Sequence, residues 1–139
     1  MQIRLVKDLQ ALDSFHVGFW HELFLGVVRD LYNHSVWALR DCIRDAERIR
    51  SSSIIQPEFV HLHEIARHVI HSNETLDVAI DTIERLQQAC SQKEPWGGAE
   101  TLKSSGGMAA LEKDMKSIKR RSESLHERLQ NEINLVSFL

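Results

Sequence analysis

The sequence has few residues that interrupt or cross-link a chain: six glycines, two prolines and two cysteines among 139 residues. An all-β chain needs many tight turns, so the scarcity of Gly and Pro favours long helices. Cys42 and Cys90 are too few, and too far apart in sequence, for a disulfide framework or a cysteine-based zinc site. This cysteine usage predicts a reducing, cytoplasmic location.

Three further absences exclude classes of protein. The formal net charge is −3 at pH 7, whereas a general nucleic-acid-binding protein is normally basic. The most apolar stretch, residues 15–28, is interrupted by His16, His21 and Glu22, so it does not have the character of a membrane span. The first residues lack the basic region and apolar run of a signal peptide. The composition therefore indicates a soluble protein with no nucleic-acid partner.

Apolar periodicity predicts an all-α antiparallel bundle of three long helices in one domain, residues 1–139. The helices are expected at about residues 9–50, 57–91 and 108–136, and residues 3–9 are a candidate for a short fourth element. Pro57 suits a first helical turn, where its missing amide proton costs nothing. Pro95 and the pairs Gly97-Gly98 and Gly106-Gly107 predict a flexible linker over residues 92–107.

Each predicted helix has an apolar stripe that should face the core, and in this setting Cys42 and Cys90 are expected to be inert packing residues. The first stripe consists of Leu31, Trp37, Ala38, Cys42 and Ile49. The second consists of Leu62, Ile65, Val69, Leu76, Ile80, Ile83, Leu86 and Cys90. The third steps by four and three residues like a coiled-coil seam: Leu111, Met115, Ile118, Ser122, Leu125, Leu129 and Val136. Ser122 would need a hydrogen-bond partner if it is buried there.

The segment from Phe15 to Tyr32 carries more apolar residues than one stripe can hold. A bundle of this size buries one face of each helix, so the surplus needs another surface, and we expect self-association into a homo-oligomer. A fourth element at residues 3–9 or a missing domain are the alternatives. The expected oligomer interface consists of Phe15, Phe19, Trp20, Leu23, Phe24, Val27 and Val28.

Candidate chemistry is sparse. His61, Glu64, His68 and His71 share one stripe of the second helix, and imidazole with carboxylate is a plausible zinc ligand set. A single straight helix rarely closes a tetrahedral site, so a solvated histidine flank is the preferred interpretation and a transition-metal site the weaker one, with His34 as an additional ligand. No nucleophile or phosphate-binding motif is present, which predicts a non-enzymatic protein without a cofactor. No spacing gathers carboxylates into a magnesium cage.

A basic cluster lies on the third helix at Lys116, Lys119, Arg120 and Arg121. Acidic residues interleave with it, so we expect a solvated face with ion pairs such as Glu112–Lys116. Contact with a membrane surface or a phosphate group is the alternative.

Three stretches in chain order carry a family resemblance: LYNHSVWALRDCIRDAERIR, HLHEIARHVIHSNETLDVA and KRRSESLHERLQNEINLVSF. Together they resemble the helical region that precedes the membrane in fungal CorA-like divalent-cation (magnesium) transporters. The resemblance implies a cytoplasmic helical domain whose third helix is a stalk and whose role is assembly or conformational sensing. The Gly-Met-Asn pore loop of that family is absent, so membrane contact would require a missing C-terminal region. A stand-alone helical interaction and oligomerisation module, or a His-rich metal-binding bundle, are the alternatives.

Overall fold

The fold is an all-α bundle, as the periodicity predicts. The computed structural model describes residues 17–52, 59–92 and 99–137, with side chains described for 20–52, 59–89 and 106–137. Three helices, α1 (Val17–Ser51), α2 (Phe59–Gln92) and α3 (Ala99–Ser137), pack against one another, and the described residues contain no strand. α2 runs antiparallel to α1 and α3. Residues 9–16, where the first helix was expected to begin, and the candidate fourth element at 3–9 lie outside the described residues.

The carboxyl-terminal end of α1 is closed locally. The amide of Ser52 donates to the carbonyl oxygens of Arg48 and Ile49 at 3.2 Å, and the Ser51 hydroxyl donates to the carbonyl of Glu47 at 2.8 Å. These bonds satisfy carbonyls that would otherwise have no partner at a helix end. Arg48 and Arg50 lie in the last turn, where a positive charge interacts favourably with the helix dipole.

The cores of α2 and α3 follow the predicted stripes. Among the described side chains the buried positions of α2 are Leu62, Ile65, Ala66, Val69, Ser72, Leu76, Ile80 and Ile83, with Leu86 packed against them. Those of α3 are Met108, Leu111, Met115, Ile118, Ser122, Leu125, Leu129, Glu132 and Ile133, with Val136 packed against them. Each of these helices has one apolar face, so its periodicity identifies its core positions.

The stripe expected for the first helix is wrong. Leu31, Trp37, Ala38, Cys42 and Ile49 are all exposed. The core face of α1 consists instead of Leu25, Val36, Ile43 and Ala46, with Val28, Tyr32 and Leu39 packed against it. The physical reason is that α1 carries apolar residues on two faces, and periodicity alone does not say which face meets the other helices.

The linker is also shorter than expected. Helix α3 begins at Ala99 and continues through Gly106 and Gly107, which fall inside the range 92–107 predicted as flexible. The two glycines differ in surroundings: nothing lies within 4 Å of a Cβ built on Gly106, whereas one built on Gly107 meets the Glu22 carboxyl group at 2.5 Å. α1 therefore approaches α3 closely at Gly107, where the chain is helical.

Charged pairs hold α3 to both neighbours. Arg29 of α1 pairs with Asp114 of α3 at 3.2 Å. Arg128 of α3 pairs with Glu47 of α1 at 2.7 Å. The Trp37 ring of α1 contacts two guanidinium groups: that of Arg40 lies 4.4 Å from a ring centroid, and that of Arg121 of α3 lies 4.6 Å from one. On the other side, Lys116 reaches Glu84 of α2 at 2.8 Å, and Lys119 pairs with Asp77. α1 and α2 pack less extensively against each other than either packs against α3.

Candidate docking surface on the first two helices

α1 has a second apolar face that points away from the core. We call this face the outer stripe, and it consists of Trp20, Phe24, Val27, Leu31, Ala38, Cys42 and Ile49. At 3.6 residues per turn these positions fall within a sector of about 60°. Four large members are substantially exposed: Trp20 at 42%, Phe24 at 68%, Leu31 at 56% and Ile49 at 41%. Single exposed apolar residues are ordinary on a protein surface, but a contiguous stripe of them indicates an interaction site.

A groove runs along the inner edge of the outer stripe, between α1 and α2. It encloses about 530 Å³ and is open to solvent. Its α1 wall is predominantly apolar: Val28, Leu31, Tyr32, Ser35, Ala38, Leu39 and Cys42. Its α2 wall is polar: His68, His71, Ser72 and Thr75. A surface with one apolar and one polar wall is suited to an amphipathic helix.

One hydrogen bond joins the two walls of the groove. The Tyr32 hydroxyl donates to the carbonyl oxygen of Thr75 at 3.1 Å. The Thr75 hydroxyl in turn donates to the carbonyl oxygen of His71 at 2.9 Å, so the Thr75 side chain is turned toward its own helix. The bond between Tyr32 and Thr75 sets the antiparallel register of α1 and α2 at the middle of the groove.

The predicted oligomer interface divides among several surfaces. Phe15 lies outside the described residues, and Phe19 is placed only as part of the α1 backbone. Trp20, Phe24 and Val27 come together in the outer stripe, with Trp20 and Phe24 exposed and Val27 half-buried. Leu23 is half-buried on a different side of α1, and Val28 packs against the core beside the groove. Leu25, which lies inside the same segment, is a core residue at 7% exposure.

The histidine stripe does not form a metal site among the described residues. His61, Glu64, His68 and His71 are all exposed along α2. Glu64 accepts a hydrogen bond from Arg67 at 2.6 Å, and His71 lies 3.9 Å from the Glu74 carboxylate. Within the part of the chain that the structure describes, no group of three or more His, Cys, Asp or Glu side chains is placed to hold a metal ion. His34 is exposed on α1.

Cys42 is not the core residue that the sequence predicts. It is a free, exposed thiol on the apolar wall of the groove. The side chain of Cys90 lies outside the described residues. Cys42 was assigned to the core because it shares a period with Leu31 and Ile49, and all three belong to the outer stripe instead.

Two of the four cations in the basic cluster of α3, Lys116 and Lys119, form ion pairs. Hydrogen bonds to Glu112 and Glu84 raise the pKa of Lys116, and the bond from Lys116 lowers the pKa of Glu112. The bond to Asp77 raises the pKa of Lys119, which also approaches Glu123 at 3.4 Å. These cations therefore tie helices together, as expected for a paired surface.

Sequence reasoning found the apolar surplus of the first helix but not its arrangement. The signal that could have identified the outer stripe is the spacing of Trp20, Phe24, Leu31, Ala38 and Ile49, which follows helical steps of four, seven and eleven. A second set, Leu25, Tyr32, Val36, Leu39 and Ile43, follows steps of three, four and seven about one third of a turn away. Two offset stripes on one helix predict one face for the core and one for another surface.

None of the three helices, over the residues that the structure describes, combines the length and the apolar character needed to cross a membrane.

Comparison with known proteins gives one curated relative. The chain is 32% identical over 135 aligned residues to the Notoamide biosynthesis cluster protein M' of Aspergillus versicolor, an alignment that covers 83% of this chain. The chain spans only 30% of the length of that relative. No family model matches the sequence, and no solved structure matches it.

These comparisons overturn the transporter interpretation. The relative is named as a biosynthesis cluster protein, and nothing in the matches points to a CorA-like or magnesium-transporting family. The assignments to a CorA-like cytoplasmic domain, a stalk and an ion-transport role are therefore wrong. The three stretches that carried the resemblance are amphipathic helices with interleaved charges, and that pattern recurs among unrelated bundles.

Proposed function

We propose that this chain is a non-catalytic docking unit that binds a helix of a polypeptide chain along the outer stripe and the adjoining groove. The observation that carries the proposal is the second apolar face of α1, on which Trp20, Phe24, Leu31 and Ile49 keep between 41% and 68% of their surface exposed. Covering apolar surface with another chain is favourable by roughly 25 cal/mol per Å².

The shape of the surface supports a helix as the bound element. The apolar wall of the groove and the polar wall with His68 and Thr75 match the two faces of an amphipathic helix. A helix bound along α1 and α2 would make a four-helix arrangement with the three helices of the bundle. The relative is named as a biosynthesis cluster protein, and we propose that the docking role of this chain belongs to a protein of the same kind.

We further propose a cytoplasmic location. Cys42 is an exposed free thiol beside the groove, and such a thiol persists in a reducing compartment.

Site-specific photo-cross-linking in the native host cell tests the docking role. Benzoylphenylalanine in place of Leu31 puts the reactive group on the outer stripe, and the same replacement at Leu135 of α3, which is 47% exposed, is the matched control. The proposal predicts a discrete protein adduct from position 31 that position 135 does not give. Equal labelling from both positions, or no protein adduct from position 31, would contradict it.

A further inference from the structure

We propose that the helix bound by the outer stripe is α1 of a second copy of this chain, packed antiparallel about a two-fold axis. The inference rests on the proposed docking function and adds the identity and register of the partner. The two-fold axis crosses α1 between His34 and Ser35. With this axis the outer stripes of the two copies, each about 45 Å long, overlap along their full length.

The order of residues along the outer stripe fits this axis. Trp20 and Ile49 are equidistant in sequence from the midpoint, and so are Val27 and Cys42, and Leu31 and Ala38. In an antiparallel pair each of these residues lies opposite its counterpart on the second copy. A larger side chain then meets a smaller one at these three levels, which is the size match that close packing of two helices requires, and Phe24 lies at the level of Asp45 of the second copy.

Charge does not oppose the contact. The one charged residue that shares the sector of the outer stripe between residues 20 and 49 is Asp45, and it is paired with Arg48 of its own helix at 2.9 Å. At the axis itself the nearest positions are His34 and Ser35, and the residues of the outer stripe closest to it are Leu31 and Ala38. Two copies therefore meet without a like-charge pair at the centre of the interface.

The outer stripe offers an exposed apolar area to a second copy. A fully covered aromatic side chain buries about 150–250 Å², so the exposed parts of Trp20 and Phe24 offer on the order of 200 Å² per protomer. Leu31 and Ile49 extend the same stripe. A standard interface buries roughly 800 Å² per partner, and the outer stripe supplies a part of that area.

The same register covers part of α2. The Tyr32–Thr75 bond aligns α1 and α2 so that Val60, at 70% exposure, lies at the level of Glu47. In the antiparallel pair this level is close to Phe24 of the second copy. An exposed valine on α2 and an exposed phenylalanine on α1 thus find apolar partners in one arrangement.

Disulfide formation tests the register directly. In a Cys90→Ser background, Val27→Cys places a thiol opposite the native Cys42 of the second copy. The two positions lie about 22 Å apart within one helix, far beyond the 7 Å limit between the Cα atoms of a disulfide, so any bond between them joins two chains. Mild oxidation should give a disulfide-linked dimer several-fold faster than it does for Cys90→Ser alone.

Matched variants make the result specific. Leu135→Cys, at a position of α3 that is 47% exposed, is the control and should not accelerate dimer formation with Cys42. Ser35→Cys in a Cys42→Ser, Cys90→Ser background should link to itself across the axis. Circular dichroism before oxidation checks that every variant keeps the helical content of the parent.

The outcomes separate this inference from the docking function. Rapid linkage by Val27→Cys and Ser35→Cys, with slow linkage by Leu135→Cys, supports the antiparallel dimer. Linkage of Val27→Cys to itself in a Cys42→Ser background would show a parallel pair and overturn the inference. A monomer at the highest soluble concentration overturns it as well, and in that case a photo-adduct of Leu31 with a different protein would still support docking.

Discussion

Arg50 and Glu132 join the carboxyl-terminal ends of α1 and α3 by two hydrogen bonds, from Nε to Oε2 at 2.6 Å and from Nη2 to Oε1 at 3.1 Å. The Glu132 side chain is only 9% exposed, whereas the Arg50 side chain remains 32% exposed. The hydrogen bonds to Glu132 raise the pKa of Arg50 above its usual value. A two-point contact of this kind fixes direction as well as distance between the helices.

We expect Arg50→Met to lower the melting temperature by several degrees, because it leaves the carboxylate of Glu132 buried without its counter-ion. Arg48→Met is the matched control, since Arg48 pairs with Asp45 on the surface and its side chain is 79% exposed. Thermal unfolding followed by circular dichroism measures both. Equal melting temperatures for the two variants would show that the Arg50–Glu132 pair does not stabilise the bundle.

Ser122→Ala should raise the free energy of unfolding by about 1 kcal/mol. Ser122 is fully buried in α3, and its hydroxyl has no hydrogen-bond partner among the described residues, so removing the oxygen removes a desolvation cost. Ser124→Ala, at an exposed position of the same helix, should change it by less than about 0.5 kcal/mol. Urea unfolding compares the two, and a destabilised Ser122→Ala would mean that the hydroxyl makes a bond that stabilises the fold.

Gly106→Ala should stabilise the protein by about 0.5–1 kcal/mol, because it adds helix propensity at a helical position with open space around it. Gly107→Ala should gain less, since its Cβ would displace the Glu22 carboxyl group. Urea unfolding of the two variants tests the extension of α3 to Ala99. If residues 104–107 form a loop instead, neither substitution will show the helix-propensity gain.

Lys116→Met should make stability less sensitive to acid. The hydrogen bond from Lys116 lowers the pKa of Glu112 below its usual value of 4.5. A carboxyl group whose pKa is lower in the folded state than in the unfolded state stabilises the fold at pH values above its unfolded-state pKa. That stabilisation disappears as the pH falls through the folded-state pKa. The parent should therefore lose stability below about pH 4.5, and Lys116→Met should lose a little less there.

Denaturant unfolding between pH 7 and pH 3 measures this difference. Lys113→Met, at an exposed position of the same helix, is the control and should follow the pH dependence of the parent. The effect is small because Lys116 and Glu112 lie near the surface, where solvent screens their interaction. A steeper acid loss in Lys116→Met than in the parent would contradict the assignment.

The sequence predicted α2 and α3 well because each has a single apolar face. Val69, Leu76, Leu125 and Leu129 are buried where the periodicity places them. For α1 the same reasoning selected the wrong face: Val36 and Ile43 are fully buried, while Leu31 is 56% exposed. Which of two apolar faces meets the core depends on where the other helices lie, and a one-dimensional period does not contain that information.

The candidate site was predictable only in part. The apolar surplus between Phe15 and Tyr32 indicated a binding surface, and Trp20 and Phe24 do lie on the outer stripe. Its extension to Ala38 and Ile49 was missed, because those residues had been assigned to the core. The predicted linker failed at Gly106 and Gly107 for a related reason, since tertiary packing with α1 favours a helix that local propensity opposes.

Sedimentation equilibrium is the most direct measurement of the central claim, that the outer stripe of α1 is a binding surface for a second copy of the chain. The account predicts a dimer for the parent, a folded monomer for Leu31→Glu, which puts a charge on the stripe close to the two-fold axis, and a dimer for the matched variant Leu135→Glu. A parent that sediments as a monomer at every concentration, or a Leu31→Glu variant that remains as dimeric as Leu135→Glu, would contradict it.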